Sequence, residues 1–526
     1  MKPNIFKAGI GAVIASGLWL TASCIEDNGN YSYTDLDAVE ISSEGLQEEY
    51  VVSLGDRLTL APDVYFNGKK VTDGDNVPLD YTWTLYARMT GAGVDYTVDT
   101  IGTDRVLDAE MNRAGGTYNL QLTVTNRNNG IESYMVIPCQ IENQLTAGWM
   151  LLYERADRPG TSDVGLVVNP LVKNNIIRNR EYWNLYSASN GSPLQGTPVN
   201  IVHETFPLPT NGTPRIATSK EVAVVNPNDF TRMYGLDNLF YVKPEYSEIK
   251  YFGCCVRMNL MAEQIITDNT VYTLRGASNG TGYFGVPKQA DEAVGELAAW
   301  GTNCINGQSM EAVVYDQTNG RFYYIPTNGV ALTRFNAQAG QWDINDTQGA
   351  KMLFADWGTN YMDHFIFSRG QEYFLGIANF MMPSLPNIGT TWRDITSSPD
   401  IANVSAFAAN YGGQFVYYGA GNKVYNLAYN SGQPATLAWT APTATEKVVC
   451  IATQKYYYLA IMMARMTPNV GEVLHIATWD ESKGEGKLYE YRIEPAGGRI
   501  LADQPSYEYT VPGKVKAMSW KFALGG

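Results

Sequence analysis

The chain has 526 residues, a length that favours two or three domains over one, and its 45% hydrophobic content is ample for packed cores. Only 17% of residues are charged and the net charge is −15, which excludes a protein built to cluster Lys and Arg against nucleic-acid phosphates. The 35 Tyr and 50 Gly, with abundant Asn and Thr, point to strands joined by turns.

In chain order, Lys2 and Lys7 come first, then an apolar run from Ala8 to Leu20, then Thr21-Ala22-Ser23-Cys24. Thirteen residues make a helix of about 20 Å, short of the roughly 30 Å hydrocarbon core, so residues 1–23 read as a signal peptide and not as a span. Small residues directly before a cysteine suit a lipobox, in which the thiol is acylated and the chain is cut ahead of it. Cys24 is the expected lipidation site, and loss of Lys2 and Lys7 with the leader takes the net charge from −15 to −17. No later apolar run reaches spanning length, so lipid is the expected membrane attachment. Residues 24–36 are polar and without periodicity, a tether with Glu26 and Asp27 close behind the cysteine.

Residues 37–143 read as a compact all-β unit. Val51 to Leu60 is strand, turn, strand; Tyr81, Trp83 and Leu85 alternate with polar neighbours, as do Tyr118, Leu120, Leu122 and Val124. Strands of this length around a central Trp fit an immunoglobulin-like sandwich.

The runs Leu58-Thr59-Leu60, Leu79-Asp80-Tyr81-Thr82-Trp83 and Gly116-Thr117-Tyr118-Asn119-Leu120-Gln121-Leu122-Thr123-Val124 resemble the polycystic-kidney-disease (PKD) domain pattern. Taken with Cys24 and Asp27-Asn28-Gly29-Asn30-Tyr31-Ser32-Tyr33, the chain resembles the PKD-like lipoproteins of Bacteroidetes. The W-D-F-G-D-G-like run of strict PKD domains is absent, since Trp83 is followed by Thr84-Leu85-Tyr86. The resemblance implies an export signal at Glu26 and Asp27, and a lipid on Cys24 holding the protein at the exterior face of the cell outer membrane. It also implies partnership with SusCD-type importers and companion lipoproteins that take in oligopeptides or oligosaccharides. No cofactor is expected.

Near Gln144 the pattern resets, and residues 146–526 form a second, larger unit. Short aromatic strands recur at Thr270–Leu274, Arg321–Ile325, Glu372–Leu375, Gln414–Tyr418 with its partner Lys423–Leu427, and Lys487–Tyr491. Tyr272 to Phe322 is 50 positions, Phe322 to Tyr373 is 51 and Tyr373 to Phe415 is 42. Turn-bounded strands at a period of 40 to 50 predict a β-propeller of about seven blades, so the fold class is all-β, a sandwich followed by a propeller. Ala290 to Trp300 is the best helical stretch, an insertion between blades. Val515 to Phe522 is a strand placed to close the ring beside an early one.

Chemistry finds little support. His203, His364 and His475 are far apart; His203-Glu204 lacks the second His of a zinc protease, and Asp363-His364 reads as structural before it reads as a base and its orienter. Gly276-Ala277-Ser278-Asn279-Gly280 matches a nucleophile pattern, but Thr281-Gly282-Tyr283-Phe284-Gly285 is no helix. Asp73-Gly74-Asp75 and Asp343-Ile344-Asn345-Asp346 read as turns, not calcium loops. Cys139, Cys254, Cys255, Cys304 and Cys450 form no disulfide or zinc framework, and the adjacent pair reads as two half-buried small hydrophobes on opposite strand faces. No catalytic or metal-binding residue is assigned. Trp300, Trp357 and Trp392, set in or beside loops, are the candidate contacts for a glycan or peptide. The expectation is a ligand-binding accessory lipoprotein and not an enzyme; the alternative is a surface glycosidase, lyase or peptidase built on the propeller. A ring mouth lined with aromatics favours the first, and one with paired acids, or an acid beside His364, the second.

Overall fold

Alternation of apolar and polar residues in Leu79–Ala87 and Gly116–Asn126 puts Trp83, Leu85, Leu120, Leu122 and Val124 on one buried face. The computed structural model describes residues 37–88, 97–145, 147–174, 176–203, 213–240, 242–256, 261–276, 283–290, 292–302, 310–327, 329–336, 341–380, 388–455 and 468–522. Cys24, Glu26 and Asp27, the leader, the tether, Ser278 and Cys304 lie outside them.

The two long strands pair antiparallel in a five-stranded sheet ordered Tyr50–Ser53, Glu132–Glu142, Gly116–Asn126, Leu79–Ala87 and Asp99–Gly102. Facing it are Val39–Ser42 with Asp63–Phe66 and Lys69–Lys70, and Arg57–Leu60 with Leu107–Glu110. One core joins the layers, with Trp83 fully buried at its centre and its indole N–H donating to Asp104 O at 3.0 Å. The turn in Val51 to Leu60 does not make a hairpin. Gly55, at φ +81°, carries the chain from one sheet to the other.

Seven further sheets form a ring of blades. Blade 1 is Gly513–Phe522, Ala147–Arg155, Thr161–Val168 and Arg180–Tyr182; blade 2 is Pro198–His203, Pro214–Thr218, Val222–Val225 and Arg232–Gly235. Blade 3 is Ile249–Val256, Met261–Thr267 and Thr270–Gly276; blade 4 is Leu297–Gly301, Met310–Asp316, Arg321–Pro326 and Thr333–Arg334. Blade 5 is Lys351–Trp357, Asp363–Arg369, Glu372–Ala378 and Gly389–Asp394; blade 6 is Val404–Ala409, Phe415–Ala420, Lys423–Ala428 and Thr436–Thr440. Blade 7 is Glu446–Thr453, Val473–Asp480, Glu485–Arg492 and Tyr507–Val511. The fold is thus all-β, a sandwich followed by a seven-bladed propeller, closed by pairing Phe522 with Ala147 and Trp520 with Trp149.

Blade strands are apolar on both faces because both are covered. Trp149, Leu151 and Tyr153 pack toward blade 7, while Met150 and Leu152 in the same strand pack toward blade 2. An apolar cluster of this kind fills each of the seven junctions between neighbouring blades. At roughly 25 cal/mol per Å2 of apolar surface, these junctions are the main stabilising term of the ring.

Two readings of the sequence are corrected. The described residues of Ala290 to Trp300 are not helical: Leu297–Gly301 is the innermost strand of blade 4, where buried Leu297, Ala298 and Trp300 serve the junctions and tertiary packing overrides helix propensity. The 42-residue interval to Phe415 counts a second strand of blade 6. The third-strand equivalent of Tyr373 is Tyr425, 52 positions on, so the period holds near 50.

The innermost strand of every blade breaks register once. The breaks fall between Pro198 and Asn200, Ile249 and Tyr251, Leu297 and Gly301, Met352 and Phe354, Val404 and Ala406, Val448 and Cys450, and, in the closing strand, at Lys516 opposite Leu152 and Tyr153. Such bulges add local twist and re-aim one side chain. Here the extra residues face the axis of the ring.

The sandwich docks on blade 1. Asp56 takes Arg178 at 2.9 Å and also Arg180, Glu142 pairs with Lys173, and Val51 bridges to Ile176 as a parallel partner.

A channel through the propeller as the candidate binding site

The seven innermost strands enclose a cavity of about 750 Å3 on the axis of the ring. That volume is in the range of small-molecule sites. One end is bounded where these strands finish, at His203, Trp357, Trp520 and Lys455, on the side where Ala147 brings the chain in from the sandwich. The other end is bounded where they begin, at Thr197, Glu248 and Glu296.

At the first end, the side chain of Lys455 reaches from blade 7 to blade 5. It forms an ion pair with Asp356, donates to the carbonyl oxygens of Trp357 and Ala409, and lies 5.0 Å from the Trp357 ring. Asp356 also accepts from the Ala409 N–H at 2.9 Å. Trp357 stacks on Tyr361, with centroids 5.8 Å apart and planes 11° off parallel, and Tyr411 meets both rings. Asn360 and Tyr361 hold φ of 57° and 58°, a costly conformation for a bulky residue such as Tyr361. That backbone sets Tyr361 against Trp357.

Trp300 and Trp357 both line the channel and are each largely buried. Trp300 meets Phe322 and Phe365 edge-on at the junction of blades 4 and 5. Trp392 does not join them. It sits on the outer strand of blade 5, stacked on Phe374 at 5.0 Å and packed against Trp342 and Phe367. Trp149 and Trp520, which the sequence reading passed over, line the channel from blade 1.

Asp363 and His364 are not a base and its orienter. Asp363 is 1% exposed and faces blade 4, where Thr302 Oγ1 donates to it at 2.7 Å; burial raises its carboxyl well above the usual range. His364 is fully buried and points the other way, with Nδ1 3.0 Å from Met362 O and Nε2 3.2 Å from the Tyr429 hydroxyl; burial lowers it to about 3. His475 stacks on Trp149 at 4.0 Å, and its Nδ1 lies 3.0 Å from Glu490 Oε1 without the alignment of a hydrogen bond. Glu490 in turn accepts from Asn169 of blade 1. The pair ties two blades together.

Turn chemistry accounts for both acidic runs. Asp75 accepts from Thr72 N and Oγ1, Asp343 from Asn345 N, and Asp346 from Gln348 N. Among the described residues no group of three His, Cys, Asp or Glu is arranged to hold a metal ion. Cys139, Cys254 and Cys450 are buried and outside any disulfide, and burial pushes Cys139 and Cys450 up to about 12, far from nucleophilic. Among the described residues no helix is long and apolar enough to cross a membrane.

Residues 24–198 match the PKD-like family, a stretch that takes in the sandwich and also the Ala147–Arg155, Thr161–Val168 and Arg180–Tyr182 strands of blade 1. No curated protein matches the sequence. Among solved structures, the chain is similar to a quinonprotein alcohol dehydrogenase-like protein from Bacteroides thetaiotaomicron, at 11% identity and a TM-score of 0.41, covering 91% of this chain and 98% of that one. A protein of unknown function from Bacteroides caccae aligns at 10% identity and 0.32, covering 71% and 99%, and the Dos1 propeller at 11% and 0.35, covering 69% and 83%.

Proposed function

We propose that this protein is a lipid-anchored component of a SusCD-type importer at the exterior face of the outer membrane, and that its propeller channel holds an oligosaccharide or oligopeptide for uptake. The observation that supports this reading is the channel itself. It is of small-molecule size, edged by Trp149, Trp300, Trp357 and Trp520, and at its sandwich-side end each acid is already committed, Asp356 to Lys455 and Asp363 to Thr302. Such a lining suits binding by apolar faces and hydrogen bonds better than bond cleavage. The acyl chains on Cys24 supply the anchor, with contacts to the importer adding to what one lipid attachment provides.

A second reading, a surface glycosidase, lyase or peptidase, draws on one observation. Asp356 and Asp363 neighbour each other in blade 5, and burial drives Asp363 toward the neutral form a general acid requires. Against it, they project from opposite faces of the blade: Asp356 is paired in register with His364 and Asp363 with Trp357.

Isolation of the protein from native membranes in mild detergent separates the two. Recovery of a large β-barrel and a helical lipoprotein partner supports the importer role, and mass spectrometry of the same material reads Cys24 directly. A solitary protein that degrades polysaccharide or peptide ends the importer reading.

A further inference from the structure

The extra residues at the register breaks form a ring about the channel. In blade order these are Lys516, Val199, Lys250, Ala299 within the wider break of blade 4, Leu353, Ser405 and Val449, and all seven line the cavity. Bulges re-aim side chains, and one in each of seven innermost strands presents seven side chains to whatever occupies the axis.

The chemistry around the ring is uneven. Blades 1 to 3 contribute Lys516, Val199 and Lys250; blades 5 to 7 contribute Leu353, Ser405 and Val449. Lys250 is occupied, donating to Asn269 Oδ1 at 3.3 Å and Leu297 O at 3.2 Å with Glu296 4.0 Å away. Ser405 is occupied as well, donating to Val448 O at 2.8 Å. Lys516 is exposed within the cavity, flanked by Val199 and Val449, and makes no hydrogen bond or ion pair with any described residue. Opposite it Leu353 stands 41% exposed, a large apolar side chain directed into the channel instead of a core. Glu248 and Glu296 lie outside the ring at the rim, on blades 3 and 4, away from Lys516.

The geometry points to a carboxylate-bearing ligand, whose acid group pairs with Lys516 while an apolar face rests on Leu353 and Val449. This rests on the channel being a ligand site and adds the class of ligand. A carboxylate in this position trades an exposed, solvated lysine for a charge-assisted hydrogen bond inside a protein-walled cavity, where such bonds are stronger than on an open surface. Uronate-containing oligosaccharides and peptides with a free C-terminus both carry that group.

The test is calorimetric titration of the full chain in detergent with four probes: trigalacturonate and its methyl triester, and N-acetyl-tetraalanine and its C-terminal amide. One acid binds at least tenfold more tightly than its neutral counterpart, which also identifies the source of the carboxylate. That preference disappears in Lys516→Gln and is kept in Lys516→Arg, with thermal unfolding of both variants unchanged. Equal binding of acid and neutral forms, or a preference that survives Lys516→Gln, overturns the carboxylate assignment and leaves the channel as a ligand site. Binding of none of the four at millimolar concentration overturns both.

Discussion

Lys455, the second residue after the innermost strand of blade 7, is ion-paired with Asp356 near the end of the innermost strand of blade 5, so one side chain spans two blade junctions at the channel mouth. Lys455 is 9% exposed and Asp356 23%, so water screens the pair only in part. Lys455→Met leaves the Asp356 carboxylate with the N–H groups of Ala409 and Trp357 alone. The expected cost is about 2 kcal/mol, below the range for a fully buried pair. Adding Asp356→Asn to Lys455→Met recovers part of that loss, because the uncompensated charge is then gone. Denaturant unfolding of the two single variants and the double variant measures it.

Much of the ring was legible because both faces of each blade are buried. Runs such as Arg321–Ile325 are aromatic and apolar on either face, and turn pairs mark their ends. The closing strand was legible for the same reason. What faces the channel was not. A bulge breaks the period of two that strand reading depends on, so Val515-Lys516-Ala517-Met518 looks like a strand with a lysine turned to solvent; only its pairing with Leu152 and Tyr153 reveals Lys516 as the extra residue. Lys455 and Asp356 were missed because 99 positions separate them and no motif links them. Loop-side Trp residues were a partial guide: Trp300 and Trp357 end innermost strands, while Trp392 lies on an outer one, and sequence alone does not rank strands within a blade.

That contrast gives a second expectation. Trp392→Ala removes a ring packed on Phe374, Phe367 and Trp342, and costs about 2 kcal/mol of stability for a half-buried Trp. It leaves ligand binding unchanged. Trp357→Ala removes both the lining edge and the cation–π partner of Lys455, and weakens binding of any channel ligand severalfold. Thermal unfolding and titration of the two variants separate the roles; equal effects on binding would place Trp392 in the site after all.

A third concerns the seam between sandwich, linker and closing strand. Lys521 is fully buried, donates to Leu145 O and lies 5.7 Å from the Phe230 ring; burial, with Lys173 nearby, lowers it to about 7. An unfolded lysine titrates near 10.4, so between pH 7 and pH 10 the unfolded chain binds more protons here than the folded one. Stability therefore gains from this group as pH rises above 7, by at most about 1.4 kcal/mol per unit. Lys521→Met removes that gain. Denaturation midpoints at pH 7 and pH 9 are expected to differ less in the variant than in the parent, and a parent difference no larger than the variant's would show that Lys521 keeps its proton.

The last expectation bears on catalysis. Burial lowers His364 to about 3, while an unfolded histidine titrates near 6.5, so over that interval the unfolded chain again binds the extra proton. The sign runs toward acid lability: the contribution of His364 to stability is complete above pH 6.5 and is lost as pH falls toward 3. Nitrogen-15 NMR is expected to show the His364 imidazole still neutral at pH 5, its signal identified by loss in His364→Gln. A ring locked neutral between Met362 O and the Tyr429 hydroxyl cannot exchange protons with a substrate in the channel. If instead His364 titrates near pH 6.5 and shifts when Asp363→Asn is introduced, the two residues communicate, and the hydrolase reading gains the base it otherwise lacks.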